Sequence, residues 1–193
     1  MISTIVATAE VDVAYPILES YAMKDGFIVL SENGIIDSFN WEGIKISSNE
    51  ISENIVASDS KESFLAISSS IGDVFLMVDN SEEKILSGVN CDAICLSENY
   101  ILLSTEDGDL LSIDKQGGSR ASVNLGNTTI IRISDDHNQI VVASEEGKMT
   151  VFNNDLEMLN SSPPAKDDIE MVTNISRIVR GRFLVSRESL GVI

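Results

Sequence analysis

The clearest structural signal in this chain is the stretch Tyr100-Ile101-Leu102-Leu103-Ser104-Thr105-Glu106-Asp107-Gly108-Asp109-Leu110-Leu111-Ser112-Ile113-Asp114. It has the pattern of two β-strands joined by a tight turn. An apolar run ends at Ser104, Gly108 closes a polar tip, and an alternating run leads to Ile113. Glycine is favoured at such a tip because the backbone there often needs a positive φ, which strains other residues.

The same pattern recurs along the chain, and its last copy is weaker. The copies align on a serine that ends each apolar run, and these serines are Ser31, Ser68, Ser104, Ser144 and Ser186. The turn glycines are Gly34, Gly72, Gly108, Gly147 and Gly191, so successive copies are 38, 36, 39 and 44 residues apart. A steady period in this range indicates a repeat architecture. We expect the serines to be structural, as strand-end hydroxyls that bond to the turn backbone.

The third copy shows the content of one repeat best. Its predicted strands are Asp92–Leu96, Tyr100–Ser104, Asp109–Ile113 and Arg120–Asn124. Four short antiparallel strands in about 38 residues are typical of one blade of a β-propeller. The sequence therefore predicts an all-β chain forming a single domain, 1–193, with almost no helix. Full blades are expected at about 17–53, 54–90, 91–126 and 127–162, with a partial fifth at 163–193.

Laid side by side, the repeats resemble the β-propeller repeat superfamily, in particular quinoprotein-like blades and degenerate WD-repeat blades. The resemblance rests on stretches such as Gly108–Asp114 and Gly147–Asn153, and it covers about residues 17–162. The Trp-Asp ending of WD repeats is absent, since the single Trp41 is followed by Glu42. Larger members of the superfamily carry cofactor or metal sites in a central channel, so the resemblance also implies a ligand-binding alternative.

The two ends of the chain leave two interpretations open. Residues 2–13 alternate apolar and polar and are placed to act as a closing strand for the partial fifth blade, which would give a small ring. The stretch Lys166–Val172 could form one helical turn, but a strand is favoured. Alternatively, the chain is the N-terminal part of a larger propeller that continues beyond Ile193.

The formal net charge of −18 restricts the classes of partner. The segment 176–193 carries a net positive charge, because it holds four arginines and one acidic residue, Glu188, whereas the rest of the chain is acidic. An acidic bulk disfavours binding to nucleic acids and to anionic membranes, because phosphate repulsion must first be overcome. No apolar run is long enough to span a membrane.

Cys91 and Cys95, four residues apart, are expected to be buried reduced thiols on the same face of a strand, which suits the cytoplasm.

The residues that could carry chemistry form no convincing constellation. A lone His137 is expected in a surface turn, and no serine lies in a nucleophile motif. The acidic turns at Glu106–Asp109 and Asp135-Asp136 match no calcium loop, and Gly117-Gly118 is expected in a hairpin turn instead of a phosphate-binding loop. We therefore expect no catalytic residues, no metal and no cofactor.

The sequence favours a non-catalytic scaffold that binds another protein, with a basic surface, through an acidic loop face. The binding residues stay unknown at this point. One alternative is a ligand- or cofactor-binding propeller with enzymatic activity. Another is self-association, in which open blade edges pair between two chains.

Overall fold

The computed structural model describes residues 10–78, 81–126, 130–135, 139–144, 148–162, 170–179 and 182–189. Every regular element within these ranges is a β-strand. The all-β prediction is confirmed. No helix in these ranges is long and apolar enough to cross a bilayer.

The strands form four four-stranded sheets, called blades 1 to 4 here, and one two-stranded sheet. Blade 1 consists of β1 (Ile17–Met23), β2 (Gly26–Ser31), β3 (Ile35–Asn40) and β4 (Lys45–Glu50). Blade 2 consists of β5 (Ile55–Lys61), β6 (Phe64–Ser69), β7 (Val74–Val78) and β8 (Ser81–Leu86). Blade 3 consists of β9 (Cys91–Leu96), β10 (Ile101–Thr105), β11 (Asp109–Ile113) and β12 (Ser119–Asn124). Blade 4 consists of β13 (Ile130–Asp135), β14 (Ile140–Ser144), β15 (Met149–Phe152) and β16 (Met158–Ser161). The two-stranded sheet pairs β17 (Glu170–Val179) with β18 (Arg182–Ser189).

Within each blade the strands pair antiparallel in chain order, as a simple meander. This confirms the predicted four full blades of four antiparallel strands with a partial fifth. The first strands also contact one another in succession, since β5 lies against β9, β9 against β13, and β13 against β17. The blades therefore follow one another in sequence order.

Three clusters of buried apolar side chains fill the spaces between neighbouring blades. The cluster between blades 1 and 2 includes Leu30, Ile36, Leu65 and Ile67. The cluster between blades 2 and 3 includes Ala66, Val74, Ile101 and Leu103. The cluster between blades 3 and 4 includes Leu102, Leu110, Ile140 and Phe152.

Strand β10 explains why the middle strands read as continuous apolar runs. Ile101 and Leu103 point toward blade 2, whereas Leu102 points toward blade 4, and all three are fully buried. A strand that is covered on both faces needs apolar residues at every position. The continuous apolar run of β10 therefore indicates a sheet that is packed between two others.

The two cysteines are buried and free, but they lie on opposite faces of blade 3. Cys91 belongs to the cluster shared with blade 2, and Cys95 to the cluster shared with blade 4. The prediction of one common face was wrong because β9 contains a bulge. Its pairing with β10 passes from Ala93 opposite Ser104 directly to Cys91 opposite Thr105. The extra residue, Asp92, reverses the side on which Cys91 points.

The predicted closing strand, 2–13, lies largely outside the described residues. Residues 10–13, which are described, are not in a strand. No ring closure is seen within the ranges that the structure covers. Of the stretch Lys166–Val172, residues 166–169 also lie outside the description, and Glu170 onward is strand β17, as favoured.

Candidate interaction face

The turn between the second and third strands of a blade is held by a hydroxyl three residues before the glycine. In blade 1 the N–H of Gly34 donates to the Ser31 carbonyl oxygen (3.2 Å), and the N–H of Ile35 donates to Ser31 Oγ (3.2 Å). Gly34 has φ of +89°, which a side chain would strain. In blade 4 the N–H of Lys148 donates to Ser144 Oγ in the same way (3.2 Å).

In blades 2 and 3 the hydroxyl that holds the turn comes one residue after the predicted serine. Ser69 Oγ accepts from the N–H of Asp73 (3.1 Å), and Thr105 Oγ1 accepts from the N–H of Asp109 (3.1 Å). The turn role predicted for Ser68 and for Ser104 was therefore wrong. Ser104 Oγ instead accepts from a backbone N–H of β9, and the Ser68 hydroxyl donates to a carbonyl of β5. The side chain of Ser186 lies outside the description.

These turns lie at the same end of the blades as the connections that lead from one blade to the next. Backbone hydrogen bonds join the two kinds of segment directly. They run from Ile51 N to Gly34 O (3.1 Å), from Ile55 N to Glu32 O (2.8 Å), from Val89 N to Gly72 O (2.9 Å) and from Leu125 N to Gly108 O (2.9 Å). In blades 1 to 3 these turns and the connections bonded to them form the surface that is called the loop face below.

The loop face carries a row of carboxylates. Glu32, Glu106 and Asp107 are exposed at turn tips, and Glu53 and Asp92 are half-buried beside them. Burial, together with the negative charge of Glu106, raises the pKa of the Asp92 carboxyl. The carboxylates of Asp92 and Glu106 therefore repel each other, and a basic side chain of a partner placed beside them would relieve that repulsion.

Two further carboxylates at this end of the blades already have partners. Lys84 Nζ lies 2.5 Å from Asp73 Oδ2, and this ion pair holds the pKa of Asp73 below its usual range. Asn124 donates to Asp109 Oδ1 (2.6 Å). Besides the row of carboxylates, this end of the blades exposes the polar Asn33 and Asn54 and the apolar Ile71.

Two more acidic side chains have structural roles inside the blades. Asp37 accepts from Tyr15 (2.7 Å) and Ser48 (2.6 Å) and pairs with Lys45 (2.8 Å). Burial opposes its charged form, but these three partners together hold the pKa of Asp37 below its usual range. The network ties the segment before β1 to the blade.

Asp59, on the first strand of blade 2, reaches across to blade 3. Its carboxylate accepts from the N–H of Leu96 (2.7 Å) and from the N–H of Ser60 (2.9 Å). Burial raises the pKa of Asp59, although these hydrogen bonds oppose the shift. Asp59 therefore links two neighbouring blades at their first strands.

The remaining candidates from the sequence are distributed as follows. His137 and Asp136 lie outside the described residues. Among the residues that are described, no group of three or more histidine, cysteine, aspartate or glutamate side chains could hold a metal ion. Gly117 and Gly118 lie in the predicted hairpin turn between β11 and β12, where the N–H of Gly118 donates to Asp114 Oδ1 (2.7 Å).

Solved structures with the same arrangement of blades identify the fold. The computationally designed protein Ika8 superposes with a TM-score of 0.77 at 12% identity, over 95% of this chain and 59% of that one. BamB from Moraxella catarrhalis superposes with a TM-score of 0.68 at 12% identity, over 88% and 54% of the two chains. The fold is that of a β-propeller. A third similar propeller is BBS1N in its complex with ARL6DN, with a TM-score of 0.70, 13% identity, and 84% and 57% coverage.

This propeller chain spans only about half to three fifths of the length of these solved structures. No protein-family model matches its sequence, and no curated protein matches it either. At such low sequence identity the superpositions establish the fold alone.

Proposed function

We propose that this propeller is a non-catalytic scaffold that binds a protein with a basic surface through its loop face. The observation that carries the proposal is the row of carboxylates at Glu32, Glu53, Asp92, Glu106 and Asp107. The described lysines at this end are Lys84, which pairs with Asp73 and also lies near Glu53, and Lys148, so the five carboxylates outnumber them. An excess of charge of one sign steers and orients a partner of the opposite sign.

The architecture suits such a role because the charged tips stand on rigid supports. In blades 1 to 3 each turn is fixed by its hydroxyl and is hydrogen-bonded to the adjacent connection, so little conformational entropy would be lost on binding. A propeller of similar fold, BBS1N, is in complex with the protein ARL6DN. This supports protein binding as the class of function, and the charge of the loop face supports a basic partner.

The test is a charge reversal of the loop face in the triple variant Glu32→Lys, Glu106→Lys and Asp107→Lys. Wild-type chain and variant are immobilised, and the proteins that each captures from an extract are identified and then purified. We expect the variant to lose the partner that the wild type binds. Each lost charge contact weakens binding, so the purified partner should bind the variant at least about tenfold more weakly.

A matched control separates a specific surface from general attraction to an acidic protein. The control reverses three exposed carboxylates at the opposite end of the blades, namely Glu62, Glu82 and Asp155. Both triple variants have the same net charge. The control should keep the partner, and equal loss in both variants would contradict the proposal.

We also propose that the chain is not an enzyme and that it works in a reducing compartment such as the cytoplasm. The two buried free thiols support the second point, because both sit in apolar clusters as cysteines of reduced proteins do. The alternative to a non-enzymatic chain is a ligand-binding propeller with enzymatic activity. A large rise in melting temperature on adding a divalent ion or a quinone cofactor would favour that alternative.

Self-association is a second candidate, and one observation favours it. Strand β1 is an edge strand of blade 1, and Ile17 and Leu18 on it are exposed. Unpaired edges with apolar residues promote pairing between chains. Light scattering tests this by measuring the molecular mass in solution. A dimer would support edge pairing, and a strict monomer in dilute solution would contradict self-association.

A further inference from the structure

A cavity of about 140 Å³ opens between blades 1 and 2, at the end of the blades opposite the loop face. Apolar side chains form most of its wall: Met23, Ile28, Ile46, Leu65 and Met77. The β1–β2 turn and Ser63 of the β5–β6 turn form its rim. It belongs to none of the contacts that support the loop face.

The size and lining of the cavity define what it accepts. An apolar protein cavity of about 150 Å³ binds benzene, so this one has room for one aromatic ring or one branched aliphatic side chain. The thioethers of Met23 and Met77 adapt to ligands of different shape and make favourable contacts with aromatic rings. Larger organic ligands need several hundred Å³.

Three exposed apolar side chains lie at the same end of blade 1 as the cavity. Trp41 is 50% exposed, Ile44 63% and Ile46 57%. The indole of Trp41 packs 6.3 Å from the ring of Phe27, and its Nε1 donates to the carbonyl oxygen of Lys24 (3.4 Å). Trp41 therefore packs on the face of blade 1 that is turned away from blade 2, and of the three side chains only Ile46 lines the cavity.

Strand β4 supplies hydrogen-bonding groups at the same place. It is the last strand of blade 1, and no other described strand pairs with its outer edge. Ile46 lies on this strand and also lines the cavity. An extended peptide that added to β4 would gain main-chain hydrogen bonds and could place a side chain into the cavity.

The charges around the opening determine which charge is favourable in the residues on either side of the anchor of such a peptide. Asp25 and Glu42 are exposed acidic residues near it, against exposed Lys24, while the exposed Lys45 is paired with Asp37. The excess of negative charge complements basic flanking residues.

We propose that the edge of β4 and the adjoining cavity bind an extended segment of a partner protein that carries an aromatic or branched aliphatic anchor between basic residues. The anchor fills the cavity between blades 1 and 2. The backbone of the segment pairs with β4, and its basic residues face the acidic rim. This site is separate from the loop face and does not depend on the function proposed for that face.

The test uses a synthetic peptide of about eight residues, rich in threonine, with one central phenylalanine between two lysines. It is titrated into the full chain while the methyl signals of Met23, Ile46 and Met77 are followed by NMR. We expect these signals to shift and the amides of β4 to exchange more slowly. The same peptide with alanine for phenylalanine has equal charge and should bind about tenfold more weakly or not at all.

Two variants localise the binding. Ser63→Leu fills the cavity from its rim, and Ile46→Ser removes apolar wall from an exposed edge position without disturbing the core. Each should weaken the phenylalanine peptide about tenfold, whereas Met158→Ser, an exposed position on the edge strand of blade 4, should not change it. Equal binding of the two peptides, unaffected binding in both cavity variants, or shifts confined to the loop face would each overturn the proposal.

Discussion

The contact between a second-to-third-strand turn and the following connection predicts unequal effects of alanine at two glycines. Gly34 and Gly88 have similar positive φ values, +89° and +77°. A Cβ at Gly34 would lie 2.2 Å from Ile51 O and 2.8 Å from Glu53 O, whereas a Cβ at Gly88 would meet nothing within 4 Å. The two substitutions therefore share the backbone strain and differ in the steric clash.

The magnitudes follow from this difference. Gly88→Ala should cost only the left-handed strain, about 1–2 kcal/mol. Gly34→Ala adds an overpacking cost of about 1–3 kcal/mol and about 1 kcal/mol for the hydrogen bond from Ile51 N that the displaced connection loses, so its total is about 3–6 kcal/mol. At about 2–4 °C per kcal/mol for a chain of this size, the melting temperature should fall by about 2–8 °C for Gly88→Ala and by about 6–24 °C for Gly34→Ala.

The assay is thermal and urea unfolding followed by circular dichroism, with Gly126→Ala as a second control. Gly126 also has a positive φ, +78°, and an open surrounding. Both controls should lose the same small amount of stability. Equal losses for Gly34→Ala and Gly88→Ala would refute the close approach of turn and connection on which the loop face rests.

Three other perturbations have defined outcomes. Leu102→Ala empties a fully buried position between blades 3 and 4 and should cost about 2–5 kcal/mol of unfolding free energy in urea; less than about 1 kcal/mol would contradict the packing. Asp37 has a lowered pKa in the folded chain, so the stability it supplies is present above the unfolded pKa of about 3.9 and is lost as the pH falls through the folded value. The difference in unfolding free energy between wild type and Asp37→Asn should therefore be constant near neutral pH and shrink in acid; a difference that grows in acid would show the opposite shift. Burial raises the pKa of the Cys91 thiol to about 12, so iodoacetamide should label it only after unfolding, and rapid labelling of the folded chain would place the thiol at the surface.

The sequence was sufficient to predict the blades, because a strand buried on both faces needs a continuous apolar run and each turn needs its glycine. Leu102 and Gly108 illustrate the two requirements. The predicted strands of blade 3 differ from the observed ones by at most one residue at each end. Such strong local patterns repeat with the blade and are easy to recognise.

Two local details could not be obtained from periodicity. The bulge at Asp92 inserts a residue without changing the apolar pattern of β9, so the opposite placement of Cys91 and Cys95 was missed. The turn hydroxyls were assigned one residue early in blades 2 and 3, where Ser69 and Thr105 have the role. A constant three-residue spacing between hydroxyl and glycine was the signal that could have found them.

The candidate surfaces were predictable to different degrees. The acidic character of the loops was evident from composition, and the meander of each blade places turns such as Glu32 and Glu106 at one end. The cavity beside Ile46 was not predictable, because it depends on how closely the side chains of blades 1 and 2 pack. Apolar residues on an edge strand give no sign in the sequence of a space beside them.

The central claim is that the loop face binds a basic partner, and the salt dependence of the affinity tests it most directly. The measurement is the dissociation constant of the captured partner for the wild type and for the two triple charge-reversal variants, from about 50 mM to about 500 mM sodium chloride. The account predicts a steep loss of affinity with salt for the wild type and the Glu62, Glu82 and Asp155 control. It predicts weak, nearly salt-independent binding for the Glu32, Glu106 and Asp107 variant. A wild-type affinity that stays flat over this range, or equal salt dependence in both triple variants, would contradict it.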